Sequence, residues 1–358
     1  MADSGDRRRF IYNLHEQSKP VGAVRWLPSV SPFLRLAAMS VLSPPAIEIH
    51  SFSSQSPNPN PDLNLVSSYP LPSSATSLTS FKSHNYTLIA ASTSTGSLHI
   101  FSVNPYDGKI ESQIISISDK DSFHCGPIQS IDVETSSTGE CATAGEDGRV
   151  NLVLIGEDKV ENFRVCESDG LVAYTAVKWG SPVEFVTGGV GPGLQWWDKR
   201  RPGGPVAQFK GVWGHGTVTG MIHSLDIHPS RKHTCVVGGS SGAVYAWDLR
   251  WQQQAITLAG TGLEAKSQPF SESEVWEVKY DAFTPQVSST KVLPVMMCSE
   301  DGFLAVLQQD ERPVQLLEEP CAINSFDIDP QNPSDVIVAL EWESVGILSR
   351  GREETEMA

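Results

Sequence analysis

Gly238-Gly239-Ser240-Ser241-Gly242 spells Gly-x-Ser-x-Gly, a pattern that exposes a serine nucleophile where a strand turns into a helix beside an oxyanion hole. Here the residues that follow, Ala243 to Trp247, alternate as a strand, so the glycines and serines read as a hairpin turn. His215, His223, His228 and His233 are the densest group of histidines. None stands at an i, i+4 helical spacing around a glutamate, and no cysteine pair completes a zinc set. They read as a Gly-His turn, a strand-end histidine, a His-Pro turn and a loop histidine. Gly189-Val190-Gly191-Pro192-Gly193 lacks the spacing and following helix of a dinucleotide loop, and there is no Walker lysine. Carboxylates gather in turns such as Glu146-Asp147 and Glu300-Asp301. The residues therefore predict no catalytic, cofactor-binding or metal-ligating constellation: no enzyme, no cofactor and no metal.

The elements that position these residues recur along the chain. Ile222 to Arg250 reads as three short strands, Ile222 to Ile227, Cys235 to Val237 and Ala243 to Asp248, with turns at His228-Pro229 and Ser240-Ser241-Gly242. Its opening pattern, apolar-x-x-apolar-x-apolar, returns at Val21, Ala75, Ile128, Tyr174, Val275 and Ile323, seven copies spaced 46 to 54 positions apart. A unit that cannot cover its own apolar face must stack on neighbours, and a four-stranded propeller blade takes roughly 40 to 45 residues. The later turn repeats as Thr95-Gly96, Asp147-Gly148, Pro192-Gly193 and Asp301-Gly302, where glycine tolerates the positive φ of a tight hairpin. Trp197-Asp198 and Trp247-Asp248, with Gly214-His215, resemble the signature of WD repeats. Gly148, Asp147, Trp197, Asp198, Gly242, Trp247, Asp248, Asp301 and Gly302 are the expected structural repeat residues.

The expected fold is all-β, one seven-bladed WD-repeat β-propeller over residues 8–350, with blades beginning near 21, 75, 128, 174, 222, 275 and 323. The last blade runs out near Arg350 after three strands, so Phe10 to Leu14 is expected to pair with Val345 to Leu348 and close it, leaving no open joint. Residues 1–7 and 351–358 are expected to be flexible tails. The Ser, Gln, Asn and Pro run at 51–61 is expected to be a disordered insert, because it cannot pack a core.

A net charge of −16 argues against a nucleic-acid footprint. The basic runs Arg7-Arg8-Arg9 and Lys199-Arg200-Arg201 read as solvated surface. Cys125, Cys141, Cys166, Cys235, Cys298 and Cys321 are scattered, with no C-x-x-C pair, and read as small buried hydrophobes in a reducing compartment. No apolar run reaches the roughly 18 to 20 residues that cross a bilayer, so a soluble, intracellular protein without membrane insertion is expected.

What remains is surface. The first residue inside each apolar-x-x-apolar pair, Gly22, Thr76, Gln129, Thr175, His223, Trp276 and Asn324, is expected at one rim of the central channel. Trp276 in a largely uncharged ring has the character of an interface hot spot, and it could equally pack under the insertion at 260–274. His223, Gln129, Thr175 and Asn324 complete the expected partner-binding set.

The chain resembles a particular family in four segments: Thr143 to Leu152, Cys235 to Arg250, Glu274-Val-Trp-Glu-Val278 and Cys298-Ser-Glu-Asp-Gly302. Their order is that of the small WD-repeat nucleoporins of about forty-three kilodaltons, and the similarity covers blades three to six. That resemblance implies a scaffold subunit of the Y-shaped outer-ring complex of the nuclear pore, supporting nucleocytoplasmic transport of protein and mRNA. Its implied partners are outer-ring nucleoporins: the α-solenoid short-arm subunit and neighbouring propellers. It also implies residence at the nuclear envelope, in the symmetric outer rings, with no small-molecule substrate. Two rivals stand beside it. Trp197-Asp198-Lys199-Arg200 and Trp247-Asp248-Leu249-Arg250 match the W-D-x-R box of cullin-RING ubiquitin ligase adaptors, and a propeller hydrolase would need polar catalytic groups converging on the channel.

Overall fold

Twenty-eight strands build the computed structural model. It describes residues 10–351 except 29, 32–33, 53–62, 84–85, 119–122, 137–138, 156–159, 168–171, 191–192, 202, 210–219, 251–254, 260–270, 272 and 286–290. After β1 (Phe10–Glu16), the chain lays down blade one as β2 (Val21–Trp26), β3 (Arg35–Leu42), β4 (Pro45–Phe52) and β5 (Leu63–Pro70). Blade two is β6 (Ala75–Ser83), β7 (Tyr86–Thr93), β8 (Leu98–Val103) and β9 (Ile110–Ile117). Blade three is β10 (Ile128–Val133), β11 (Glu140–Gly145), β12 (Arg149–Ile155) and β13 (Val160–Glu167). Blade four is β14 (Ala173–Ser181), β15 (Glu184–Val190), β16 (Leu194–Asp198) and β17 (Ala207–Phe209). Blade five is β18 (Ile222–Ile227), β19 (Thr234–Gly239), β20 (Val244–Asp248) and β21 (Ile256–Ala259). Blade six is β22 (Val275–Tyr280), β23 (Val295–Ser299), β24 (Phe303–Leu307) and β25 (Val314–Glu318). Blade seven is β26 (Ile323–Ile328), β27 (Asp335–Leu340) and β28 (Ser344–Arg350), with β1 as its outer strand.

The closing pair forms as expected, antiparallel, with Tyr12 opposite Leu348 and Leu14 opposite Gly346. The expected tail at 1–7, positions 352–358 of the expected tail at 351–358 and positions 53–61 of the expected insert lie outside the described residues; Ser51 and Phe52 complete β4. Gly214 and His215 and most of the 260–274 insertion also lie outside the described residues. The outer strand of blade two runs from Ile110 to Ile117.

Apolar side chains gather at the joints between blades rather than in one central mass. Seven buried clusters correspond to the seven joints. Val21, Trp26 and Met39 of blade one meet Ile337, Val345 and Ile347 of blade seven, for example, while Val236 and Val244 of blade five meet Val275 and Met297 of blade six. A residue in a middle strand thus faces one neighbouring blade or the other, which explains why β3, β7, β23 and β27 are buried almost throughout.

The cysteine expectation needs correction. Cys141, Cys235 and Cys298 are buried, but Cys125 is exposed and Cys166 and Cys321 are half-buried, because those three lie in a loop, an outer strand and a turn.

Gly302 illustrates why the repeat glycines are needed. Its φ is +85°, and a Cβ there would sit 2.0 Å from the Glu319 carbonyl oxygen and 2.8 Å from that of Cys321. Gly302→Ala is expected to lower stability by about 1–3 kcal/mol, read as a fall in Tm. Gly139→Ala, at φ +65° with nothing within 4 Å of the added methyl, should cost less.

Candidate functional site

Each inner strand carries the same irregularity. Between the first and third residues of the repeated pattern the pairing with the second strand shifts register: Val21/Ala23, Ala75/Ser77, Ile128/Ser130, Tyr174/Ala176, Ile222/Ser224, Val275/Glu277 and Ile323/Ser325. A bulge leaves one residue unpaired and turns its side chain off the alternating pattern. That is the physical origin of the apolar-x-x-apolar spacing, since two successive residues then face the channel. The seven unpaired residues are the predicted rim set, and all of them line one central cavity of about 660 Å³.

Within that set the roles differ. The Thr76 and Thr175 hydroxyls donate to the carbonyls of Ile128 and Ile222, and the Gln129 amide donates to Glu146. These groups are occupied by the propeller itself. His223 Nε2 lies 2.8 Å from a Glu274 carboxylate oxygen, and its ring centroid is 4.8 Å from that of Trp276. Burial lowers the His223 pKa, with Glu274 opposing. Trp276 is half-buried, resting on the cluster shared by blades six and seven that includes Cys298, Ile323 and Phe326. Among the described residues its indole N–H has no hydrogen-bond partner, and Asn324 makes no side-chain hydrogen bond.

In five of the seven inner strands the next residue stitches blades together; Ala23 and Ala176 have no polar side chain to do so. Ser77, Ser130, Ser224 and Ser325 accept from the backbone N–H of Ile131, Val177, Val278 and Val24 in the following blade, at 3.1–3.4 Å. Glu277 does the same for Phe326, at 3.0 Å. One further turn of the pattern down, the expected uncharged ring gives way to charge: Arg25, Thr79, Asp132, Lys178, Asp226, Lys279 and Asp327. Their signs alternate around the channel, broken once by Thr79. Lys178 contacts Asp132 at 3.2 Å and Asp226 at 3.8 Å, Lys279 contacts Asp327 at 2.7 Å and Glu277 at 3.3 Å, and Arg25 contacts Glu277 at 2.7 Å. Asp132, Asp226 and Asp327 each also accept the backbone N–H of Trp179, Tyr280 or Trp26 in the next blade, at 2.7–2.9 Å. Burial pushes the Glu277 carboxyl up, but Arg25 and Lys279 outweigh it and hold its pKa at about 2. Attraction to Asp132 raises the Lys178 pKa against the cost of burial, and burial raises that of Asp226.

The repeat residues form buried polar networks behind the rim. In blade three His124 Nδ1 is 3.0 Å from Asp147, and its Nε2 is 2.9 Å from both the Thr143 hydroxyl and the Asn151 amide. The Trp197 indole donates to Thr187 at 2.8 Å, and Asp301 accepts from Ser271 and Ser299. The sequence reading missed His124, because it follows Phe123 and no Gly-His dipeptide marks it. Gly148, Gly242 and Gly302 all have positive φ. Ser240 Oγ accepts from the Met221 N–H at 2.8 Å, and β20 follows Gly242, so the Gly-x-Ser-x-Gly run is a hairpin turn. Arg200 and Arg250 of the W-D-x-R boxes each fold onto the aspartate two residues earlier, at 2.6–3.0 Å. No group of three or more His, Cys, Asp or Glu is placed to hold a metal ion among the described residues.

Seven four-stranded blades around a bulge-lined channel, with Trp-Asp strand ends and a buried His-Asp-Thr network in blade three, define a WD-repeat β-propeller. No protein-family model matches the chain. It is 49% identical over 356 residues to the nuclear pore complex protein NUP43 of Arabidopsis thaliana, covering 93% of this chain and 96% of that protein. It is 29% identical over 225 residues to nucleoporin Nup43 of Mus musculus and 28% over 226 to that of Homo sapiens, in each case covering 60% of this chain and 52% of the relative. The chain belongs to the Nup43 family of nuclear pore complex proteins.

Proposed function

We propose that the protein is a non-enzymatic scaffold subunit of the Y-shaped outer-ring complex of the nuclear pore. It docks on α-solenoid nucleoporins, the short-arm subunit above all, and on neighbouring propellers. The observation that carries this reading is the near-full-length relation to a nuclear pore complex protein. The channel supports it, because the charges that could do acid–base work are spent on one another and on backbone N–H groups, so the ring holds shape. Of the rim, Trp276, His223 and Asn324 are the groups offered to a partner. Gln129 and Thr175 act mainly by holding the rim in place.

Truncating Trp276 to alanine is expected to weaken partner binding by about 2 kcal/mol or more, the scale of an interface hot spot. Binding is to be measured per folded molecule, since the indole also packs on blade seven. Unchanged affinity with a lowered Tm would assign Trp276 to packing alone.

For the whole reading, the tagged protein is expected to give a punctate nuclear-rim signal and to co-purify with outer-ring nucleoporins. The rival adaptor reading makes the opposite forecast: stoichiometric recovery with the ligase linker and no nucleoporins. The self-pairing of Arg200 and Arg250 with Asp198 and Asp248 counts for a role of those boxes inside the blade.

A further inference from the structure

Trp342 is the most exposed tryptophan among the described residues, 62% open to solvent at the tip of the hairpin joining β27 to β28. The tip is tied down on three sides. The Glu341 N–H donates to the Ala322 carbonyl at 3.0 Å, the Gln17 N–H to the Glu343 carbonyl at 2.7 Å, and the Ser344 hydroxyl to the Trp342 carbonyl at 3.0 Å. A large aromatic held in place by its backbone loses little freedom when a partner covers it. The hairpin lies on the face of the propeller where the inner strands begin, the same face as Trp276.

The surroundings of Trp342 specify the chemistry of what covers it. Glu341 and Glu343 flank it and are exposed, and Glu16 and Glu300 are exposed on the same face of blades seven and six. None of these four carboxylates is in an ion pair among the described residues. Leu14, 52% exposed on the closing strand, adds an apolar contact beside the hairpin.

We infer that this corner of blades six and seven is a docking site for a protein segment that presents arginine beside an apolar side chain. A planar guanidinium can stack on the indole face while pairing with a neighbouring carboxylate, a combination the lysine ammonium cannot match. The carboxylates exclude a phosphate backbone as occupant, and the chain's net charge of −16 draws a basic segment in from a distance. This inference deepens the docking role proposed above and rests on it for the occupant being a protein.

The test uses the full chain with 15N-labelled tryptophan, titrated with three acetylated peptides alike except for their polar residues: arginine, lysine or citrulline around one leucine. The Trp342 indole resonance, assigned by its loss in Trp342→Phe, is expected to move with the arginine peptide, less with lysine and not with citrulline. Glu341→Gln with Glu343→Gln should weaken the arginine response about fivefold, the scale of two exposed charge pairs, at unchanged Tm. An unmoved Trp342 signal, or an equal response to citrulline, overturns the site. In cells, loss of the nuclear-rim signal on Trp342→Ala with Glu341→Lys and Glu343→Lys supports it. Retention of the rim signal by that variant overturns this face as the dock and leaves the pore reading standing. A wild-type protein absent from the rim defeats the pore reading, and the peptide titration still decides the arginine site.

Discussion

Asp281→Ala is expected to cost the fold about 3–5 kcal/mol, the penalty for removing one partner of a buried ion pair. Asp281 and Arg350 are almost fully buried, 0% and 3% exposed in their side chains, and meet through two bonds of 2.8 and 2.9 Å. The Arg350 guanidinium also donates to the Pro333 carbonyl and lies 4.5 Å from the centre of the Phe283 ring. Asp281 follows the inner strand of blade six, and Arg350 ends the strand of blade seven that pairs with Phe10. The pair therefore pins the N-terminally closed blade to its neighbour. On the other side Arg35 of blade one bonds Asp329 and Asp335 at 2.6–3.0 Å, so the blade that seals the ring is clamped from both flanks. Without Asp281 the guanidinium is stranded in a site that water does not reach, and the propeller should open at this joint first. Urea denaturation measures the loss, and native-state hydrogen exchange should show β1 and β28 losing protection ahead of blades two to five. Replacing both partners, Asp281→Leu with Arg350→Met, is expected to recover most of the loss, because no charge is then left unpaired. A midpoint for Asp281→Ala equal to wild type would show that the pair does not hold the joint.

The contrast between this clamp and the blades explains what a reader of the sequence can and cannot see. The seven inner strands were legible because the bulge imposes a local spacing on every copy, and the closing strand because the last copy of the pattern supplies only three strands of its own. Gly148, Gly242 and Gly302 were legible because a positive φ admits few residue types. The clamps were not. Asp281 and Asp329 share the seventh position of the pattern, but Asp281 and Arg350 are 69 positions apart and Arg35 and Asp329 are 294 apart, and nothing local marks the arginine partners. The charged ring lay within the repeat itself, at the fifth position of each pattern, but it is meaningful only as a set. Arg25 or Asp226 alone reads as a solvated charge, and only the circle of blades brings opposite signs together. Trp276 shows the limit of reading a rim by residue type: its indole is shared between the channel mouth and the cluster beneath it.

Seven is odd, so a ring that alternates strictly in sign cannot close on itself; the neutral Thr79 is what lets six charges alternate around seven blades. Glu277 adds a carboxylate one layer up and serves Arg25 and Lys279 together, at 2.7 and 3.3 Å, while accepting the Phe326 N–H. Glu277→Ala should cost somewhat less than Asp281→Ala, about 2–3 kcal/mol, because the half-buried Arg25 guanidinium loses its main partner but keeps its bonds to Ser325 and to the Val24 and Phe326 carbonyls. The pH dependence gives a second, separable reading. Its pKa is depressed from an ordinary 4.5 to about 2, so the unfolded chain binds this proton more readily than the folded one. The stability it supplies is complete above about pH 4.5 and is lost as pH falls towards 2, a decline of about 3 kcal/mol by linkage. Glu277→Gln keeps the side chain's shape and can still accept from Phe326 but does not titrate, so it should start less stable at pH 7 and show a shallower fall between pH 5 and 2. If its acid limb has the same slope as wild type, other carboxylates set the acid sensitivity and the ring owes its shape to the apolar joints alone.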